Sequence, residues 1–281
     1  MPVSAIIRCH RDHRIFDCIA DLDNNSETHE LIAVLTNDSL ELAAELRESR
    51  KDVKLLFAPY NNLSRSTNIG IEASKNDKLL ILDSDLRCSQ NALDKLDVLL
   101  EKYEIVKSKL EFNWNSFSEK LVSELRAFIH SLPENCYCPG LALRKDIKEV
   151  MGGHFFNDKV WWTEDAEFNF RRQQAGVDYY RTNEVIFTHL PENMPHDLNG
   201  AYKIGRGKYS QVLFAGRNTF EEELHNIFKK FFKGQIFQEY AKLLVEKGLA
   251  VSMYSLLWDL SYYLGYYRER LQRRKHSNIT A

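Results

Sequence analysis

The chain has 281 residues, 44% hydrophobic and 28% charged, with a formal net charge of -2. That length can bury a sizeable core, and the composition excludes a disordered chain and a multi-span membrane protein. The near-neutral balance lacks the basic field of a nucleic-acid binder, so no nucleic acid is expected among the partners.

The N-terminus passes from Met1-Pro2 straight into the apolar Val3-Ser4-Ala5-Ile6-Ile7 with no secretion signal. This first strand is followed by a predicted helix over Phe16 to Leu22, a strand over 31–35 and a helix from Ser39 to Ser49. A strand over 53–58, a helix around Asn68 to Ser74 and a strand over 78–83 complete the series. Strands alternating with helices predict an α/β fold, a mostly parallel sheet flanked by helices. Such sheets bind ligands at the carboxyl ends of their strands. The scattered cysteines Cys9, Cys18, Cys88, Cys136 and Cys138 include no Cys-x-x-Cys pair, and read as reduced thiols of a cytoplasmic protein.

The strand over 78–83 runs into Asp83-Ser84-Asp85. In an extended chain residues i and i+2 share a face, so the two carboxylates can converge on one magnesium-like cation that also takes phosphate oxygens. The same residues also read as a capping turn before the leucine-rich helix that starts near Asn91. A second acidic cluster, Glu164-Asp165, opens a predicted helix with a Glu167/Arg171 pair and a stop at Gly176. Acids at a helix N-terminus satisfy the macrodipole. Here Trp161 and Trp162 precede them, offering either a flat platform for a sugar ring beside a proton-accepting carboxylate or simple core filling.

In this order the segments resemble the inverting family 2 glycosyltransferases of the GT-A fold. "VSAIIRCHRDHRIFDCIADL" is similar to that family's first strand and helix, and "NNLSRSTNIGIEASKNDKLLILDSDL" to its Ala-Arg-Asn-x-Gly-Ile helix and Asp-x-Asp strand. "GLALRKDIKEVMGGHFFNDKVWWTEDAEFNFRRQQAG" is similar to its Gly-Gly-Phe-Asp-Glu loop and Glu-Asp acceptor motif. The resemblance covers residues 3 to about 190. It implies a catalytic domain over 1–215, with a nucleotide-sugar half over 1–110 and an acceptor half over 111–215.

Carried over by position, Asp83, Ser84 and Asp85 match the motif for the metal (Mn2+ or Mg2+) and the diphosphate. Asp165, beside Glu164, matches the catalytic base. His189 stands where many such enzymes place a histidine near the metal, and Trp161 and Trp162 fall on the acceptor side. Arg206 and Lys208, in a Tyr-x-x-Gly-Arg-Gly segment, are candidates for the diphosphate or a solvated basic loop. Where the family carries Asp-Asp in its second strand, this chain has Thr36-Asn37 followed by Asp38, leaving Asn37 or Asp38 to read the base. Ser66-Thr67-Asn68 replaces Ala-Arg-Asn, so Asn68 is kept, the arginine is lost and Arg65 becomes its candidate substitute. Arg8-Cys9-His10-Arg11 makes the first turn unusually basic and suits an anionic donor. The resemblance implies transfer from a nucleotide-diphosphate sugar to a glycan or lipid-linked acceptor, with inversion.

The C-terminal part, 216–281, is expected to be a helical extension: an amphipathic helix over 217–235, then a tyrosine-rich helical pair over 237–275 ending in "YYRERLQRRK". Aromatics beside basic residues suit peripheral docking on the cytoplasmic face of a membrane, and the same surface suits packing on the catalytic domain or a homo-oligomer. A sugar-nucleotide pyrophosphorylase would carry a glycine-rich loop after the first strand, which "IIRCHRDHR" lacks, and a glycoside hydrolase needs no nucleotide half. The altered second strand and helix motif keep open a catalytically degenerate binding or assembly subunit.

Overall fold

The computed structural model describes residues 2–26, 29–60, 62–214 and 235–277. The chain divides into an α/β unit, residues 1–113 and 132–190, and a helical unit, residues 114–131 and 191–281. The helix expected over 217–235 lies, up to Gly234, outside the described residues.

In the α/β unit, β1 (Val3–Cys9), β2 (Glu30–Thr36), β3 (Lys54–Ala58) and β4 (Lys78–Asp83) run parallel. They are joined through α1 (Ile15–Leu22), α2 (Leu40–Ser49) and α3 (Leu63–Ala73). The sheet is completed by β5 (Leu86–Cys88), β6 (Ile105–Phe112), β7 (Leu141–Arg144) and β8 (Tyr180–His189), in the order β3-β2-β1-β4-β7-β6-β8-β5. β7 is antiparallel to both β4 and β6, β8 is parallel to β6, and β5 is antiparallel to β8. The parallel half thus follows the predicted βαβ alternation, and the other half is mixed.

Residue alternation along β1 separates two cores. Val3, Ala5 and Ile7 face the side covered by α1, α2 and α4 (Ala92–Leu100). Ile6 faces the opposite side, with Ile71 of α3, Ile147 of α6 (Ile147–Val150) and Phe168 of α7 (Glu164–Gln174). Both sets are buried, which is why the parallel strands read as continuous apolar runs. α3 begins five residues before the expected Asn68, because the Asn62 side chain accepts the Arg65 amide and caps the helix there. Gly70 lets this helix lie on the sheet: a Cβ there would overlap Ile6 Cγ2 and stand 3.2 Å from Val34 Cγ2. At the far end of α7, Gly176 (φ +68°) adopts the left-handed conformation, and the Val177 amide returns to the Arg172 carbonyl, so the helix stops where the glycine predicts.

The helical unit contains α5 (Phe117–Ser131), α8 (Met194–Phe214), α9 (Gln235–Lys247) and α10 (Leu249–Ser277). α8 and α10 cross backbone to backbone: a Cβ on Gly205 would strike the Tyr262 carbonyl, and one on Gly265 the Tyr202 carbonyl. Asp197, fully buried, accepts from Arg126 Nε (2.7 Å) and from the Tyr254 hydroxyl (2.5 Å). α10 also exposes a row that includes Leu249, Met253, Leu256, Leu260 and Leu264. Among the described residues no helix is long and apolar enough to cross a membrane.

Candidate active site

The same alternation that puts Ile6 under α3 and α7 puts Arg8 there too, at the carboxyl end of β1. Its register partner on β4 is Asp83. Arg8 is only 5% exposed, and its Nε and Nη2 both bond Asp83 Oδ1, at 2.8 and 2.7 Å. Its Nη1 reaches Glu164 Oε1 at 2.6 Å and the Thr67 hydroxyl at 3.4 Å. One guanidinium therefore joins β1, β4, α3 and the first residue of α7. Burial opposes its charge, but Asp83 and Glu164 more than offset this and hold its pKa well above the ordinary arginine value.

Asp83 and Asp85 do not lie on one uninterrupted strand. β4 ends at Asp83, the Ser84 amide turns back to the Arg8 carbonyl (3.1 Å), and β5 starts at Leu86. The Ser84 hydroxyl donates to Asp12 Oδ2 (3.0 Å). Because Leu86 pairs with His189, Asp85 is carried toward β8, where its Oδ2 lies 3.1 Å from His189 Nε2 and 3.7 Å from Arg14 Nη2. Asp85 Oδ1 is buried without a hydrogen-bond partner. Burial first, then Asp83 and Asp12, push its pKa up against His189 and Arg14. Both Arg8 bonds to Asp83 fall on Oδ1, so Asp83 Oδ2 accepts from no described side chain.

This donor set suits a hard divalent cation: two carboxylate oxygens await a partner, with an imidazole beside one of them. Among the described residues no group of three such ligands is already assembled.

On the acceptor side Glu164 is 2% exposed and tied to Arg8, whereas Asp165 is half-buried and its Oδ1 accepts only the Ala166 amide (2.7 Å). Burial, then the Glu164 charge, raise the Asp165 pKa to about 7 against the opposing pull of Arg8. That is a suitable value for a group that takes a proton near neutrality. Trp161 and Trp162 are half-buried just before it, and Trp162 holds φ +67°. A bulky residue in the left-handed region is strained, and such strain concentrates at functional sites.

The remaining candidates divide. At the end of β2, Asp38 lies 3.0 Å from Arg11 Nη2 and 3.5 Å from His10 Nδ1, and the His10 ring lies 4.3 Å from that of Tyr60. Asn37 is exposed beside it. Arg65, the candidate for the arginine lost at Thr67, is engaged elsewhere among the described residues. It pairs with Asp158 (2.7 Å), and Asn68 Nδ2 holds the same loop through the Phe156 carbonyl (2.7 Å) and Asp158 Oδ1 (2.6 Å). The guanidinium against Thr67 is that of Arg8.

Arg206 and Lys208 lie on α8 in the helical unit, in neither a diphosphate loop nor a solvated one. Arg206 pairs with the buried Glu269 (2.7 Å), and Lys208 bonds Gln211 (3.3 Å). Sequence reasoning missed Asp12, Arg14 and Tyr60. The only sign of the first two was the charged run continuing past Arg11.

The Glycosyl transferase family 2 pattern matches residues 4–141, the span that contains β1 through the start of β7. The match covers a little under half of the 281 residues. Two structures similar to this chain are of TarS from S. aureus. One is 15% identical with a TM-score of 0.52, over 89% of this chain and 44% of that one. The other, TarS 1–349, is 12% identical with a TM-score of 0.53, over 98% and 92%. This chain thus spans less than half of the longer TarS chain, and the likeness is one of fold, GT-A. No curated protein sequence matches it.

Proposed function

We propose that this protein is a glycosyltransferase that moves a sugar from a nucleotide-diphosphate sugar to a hydroxyl of a glycan or lipid-linked acceptor, with inversion, in cell-surface polysaccharide or glycolipid synthesis. The observation that carries this reading is the meeting of Asp83, from the donor motif, and Glu164, from the acceptor motif, on one buried arginine at the carboxyl ends of the strands. It supports a reading in which donor and acceptor chemistry meet at this arginine. Asp83, Asp85 and His189 would hold Mn2+ or Mg2+, which supplies Lewis-acid neutralisation of the leaving diphosphate. Asp38 and Asn37, with the His10 and Tyr60 rings alongside, would take the nucleoside. Asp165 Oδ2, with no described partner, would accept the proton of the acceptor hydroxyl while Trp161 and Trp162 hold the acceptor ring. A base that attacks through the acceptor from the face opposite the leaving group gives one displacement and hence inversion. The exposed leucine row of α10 supports docking of the helical unit on a membrane surface where a lipid-linked acceptor resides.

The test is thermal stability of the full chain with UDP, GDP, dTDP or CDP, each with and without Mn2+, followed by transfer assays on Asp165→Asn. Metal-dependent stabilisation by one nucleotide is expected, and Asp165→Asn should keep it while losing transfer. Stabilisation by none would favour the degenerate binding subunit. Transfer retained by Asp165→Asn would remove the base assignment.

A further inference from the structure

Two adjacent acids open α7, and the resemblance gives the base role to Asp165, with Glu164 beside it. Their surroundings differ sharply. Glu164 is sealed, 2% exposed, with its carboxylate 2.6 Å from Arg8 Nη1. Asp165 is half-buried, and one of its oxygens takes nothing but the neighbouring amide. The difference is set by a residue 156 positions away in the chain, at the end of the first strand.

We propose that Arg8 is a positioning residue that divides the acid pair: it engages Glu164 in a buried ion pair and leaves Asp165 as the carboxylate open to the acceptor hydroxyl. This rests on the base assignment made above. The geometry requires the arginine fork. A single planar guanidinium spends two nitrogens on Asp83 and a third on Glu164, so the donor-side and acceptor-side acids are held at a fixed separation by one rigid group. A buried carboxylate at the position of Glu164 without that partner would carry an uncompensated charge beside Asp165.

The charged and titratable groups around Asp165 come from every neighbouring element: Glu164 on α7, Arg8 on β1 and Asp83 on β4. Lys107 on β6, with Cys136, Tyr137 and Cys138 in the segment before β7, also face it. Glu164 and Asp83 disfavour the charged form of Asp165, whereas Arg8 favours it. Lys107, on the same electrostatic grounds, favours it too. Loss of Arg8 therefore removes attraction and frees two repulsive neighbours. Loss of the Glu164 charge acts in the opposite sense.

The test is a carboxyl-carbon NMR titration of the full chain labelled with 13C at the aspartate side-chain carboxyl, with the Asp165 signal assigned through Asp165→Asn. In Arg8→Met the Asp165 midpoint should rise by about one pH unit or more, Arg8→Lys should recover most of the change, and Glu164→Gln should lower it by about one. Glu164→Gln keeps the side-chain shape and an acceptor for Arg8, so it carries the test even if Arg8→Met does not fold. An Asp165 midpoint that is the same in wild type and Glu164→Gln, or unmoved in folded Arg8→Met, would overturn the proposal. The titration reads the acid itself, so its failure is distinct from failure of the base assignment, which transfer by Asp165→Asn decides.

Discussion

Replacing Asp165 with asparagine should stabilise the protein at the pH where it destroys the proposed transfer. The folded carboxyl has a pKa of about 7, raised by burial and by Glu164. A free aspartate titrates near about 3.9. Below the lower value both folded and unfolded chains hold the proton, and the folded state has no penalty. Between the two values only the folded chain does, so stability falls as the pH rises, until the carboxyl is ionised in both states. A gap of about three pH units at about 1.36 kcal/mol each is about 4 kcal/mol, and partial solvent access to the side chain brings the expected loss to about 2–4 kcal/mol. Asparagine does not titrate, so the variant lacks this loss. Urea unfolding of both proteins, followed by tryptophan fluorescence from pH 4 to pH 8, should show asparagine gaining on wild type by that amount. Wild-type transfer should rise about tenfold per pH unit below pH 7 and level off above, as expected of a base that must be ionised. A stability difference that stays constant across the range would refute the argument, because the carboxyl would then titrate alike in both states.

Gly70→Ala gains about 1 kcal/mol of helix propensity but presses a methyl into Ile6 and Val34, an overpacking cost of about 1–3 kcal/mol, so a net loss of up to about 2 kcal/mol is expected in urea unfolding. Gly205→Ala should cost more, because its methyl meets a backbone carbonyl of α10 that no rotamer change can move. Circular dichroism melting checks it. Asp85→Asn removes a buried acid with an unpartnered oxygen, so the protein alone should melt higher while Mn2+-dependent stabilisation by nucleotide is lost. Leu256→Glu with Leu260→Glu should lower sedimentation with anionic lipid vesicles, and equal sedimentation of variant and wild type would remove the membrane reading.

The parallel half of the fold was legible in the sequence because its signals are local. Apolar runs such as Leu79 to Leu82 are buried on both faces, Gly176 ends α7 by its own backbone freedom, and Asp83 and Asp165 fall at element ends that periodicity alone marks. Pairings between distant segments were not legible. Asp83 and Asp85 look alike as i and i+2, yet β4 ends at Asp83, and it is the pairing of Leu86 with His189 on the distant β8 that sets Asp85 beside that imidazole. Arg206 and Lys208 read as either diphosphate ligands or a solvated basic loop, and only the tertiary fold sets Arg206 on a helix beside Glu269 of α10, as it sets the candidate Arg65 beside Asp158. Arg8 is the clearest case. Strand alternation tells which face it occupies, but only the packing of α3 and α7 on that face makes it the hinge of charge between Asp83 and Glu164, because a buried guanidinium takes its meaning from whichever carboxylates the tertiary fold delivers to it.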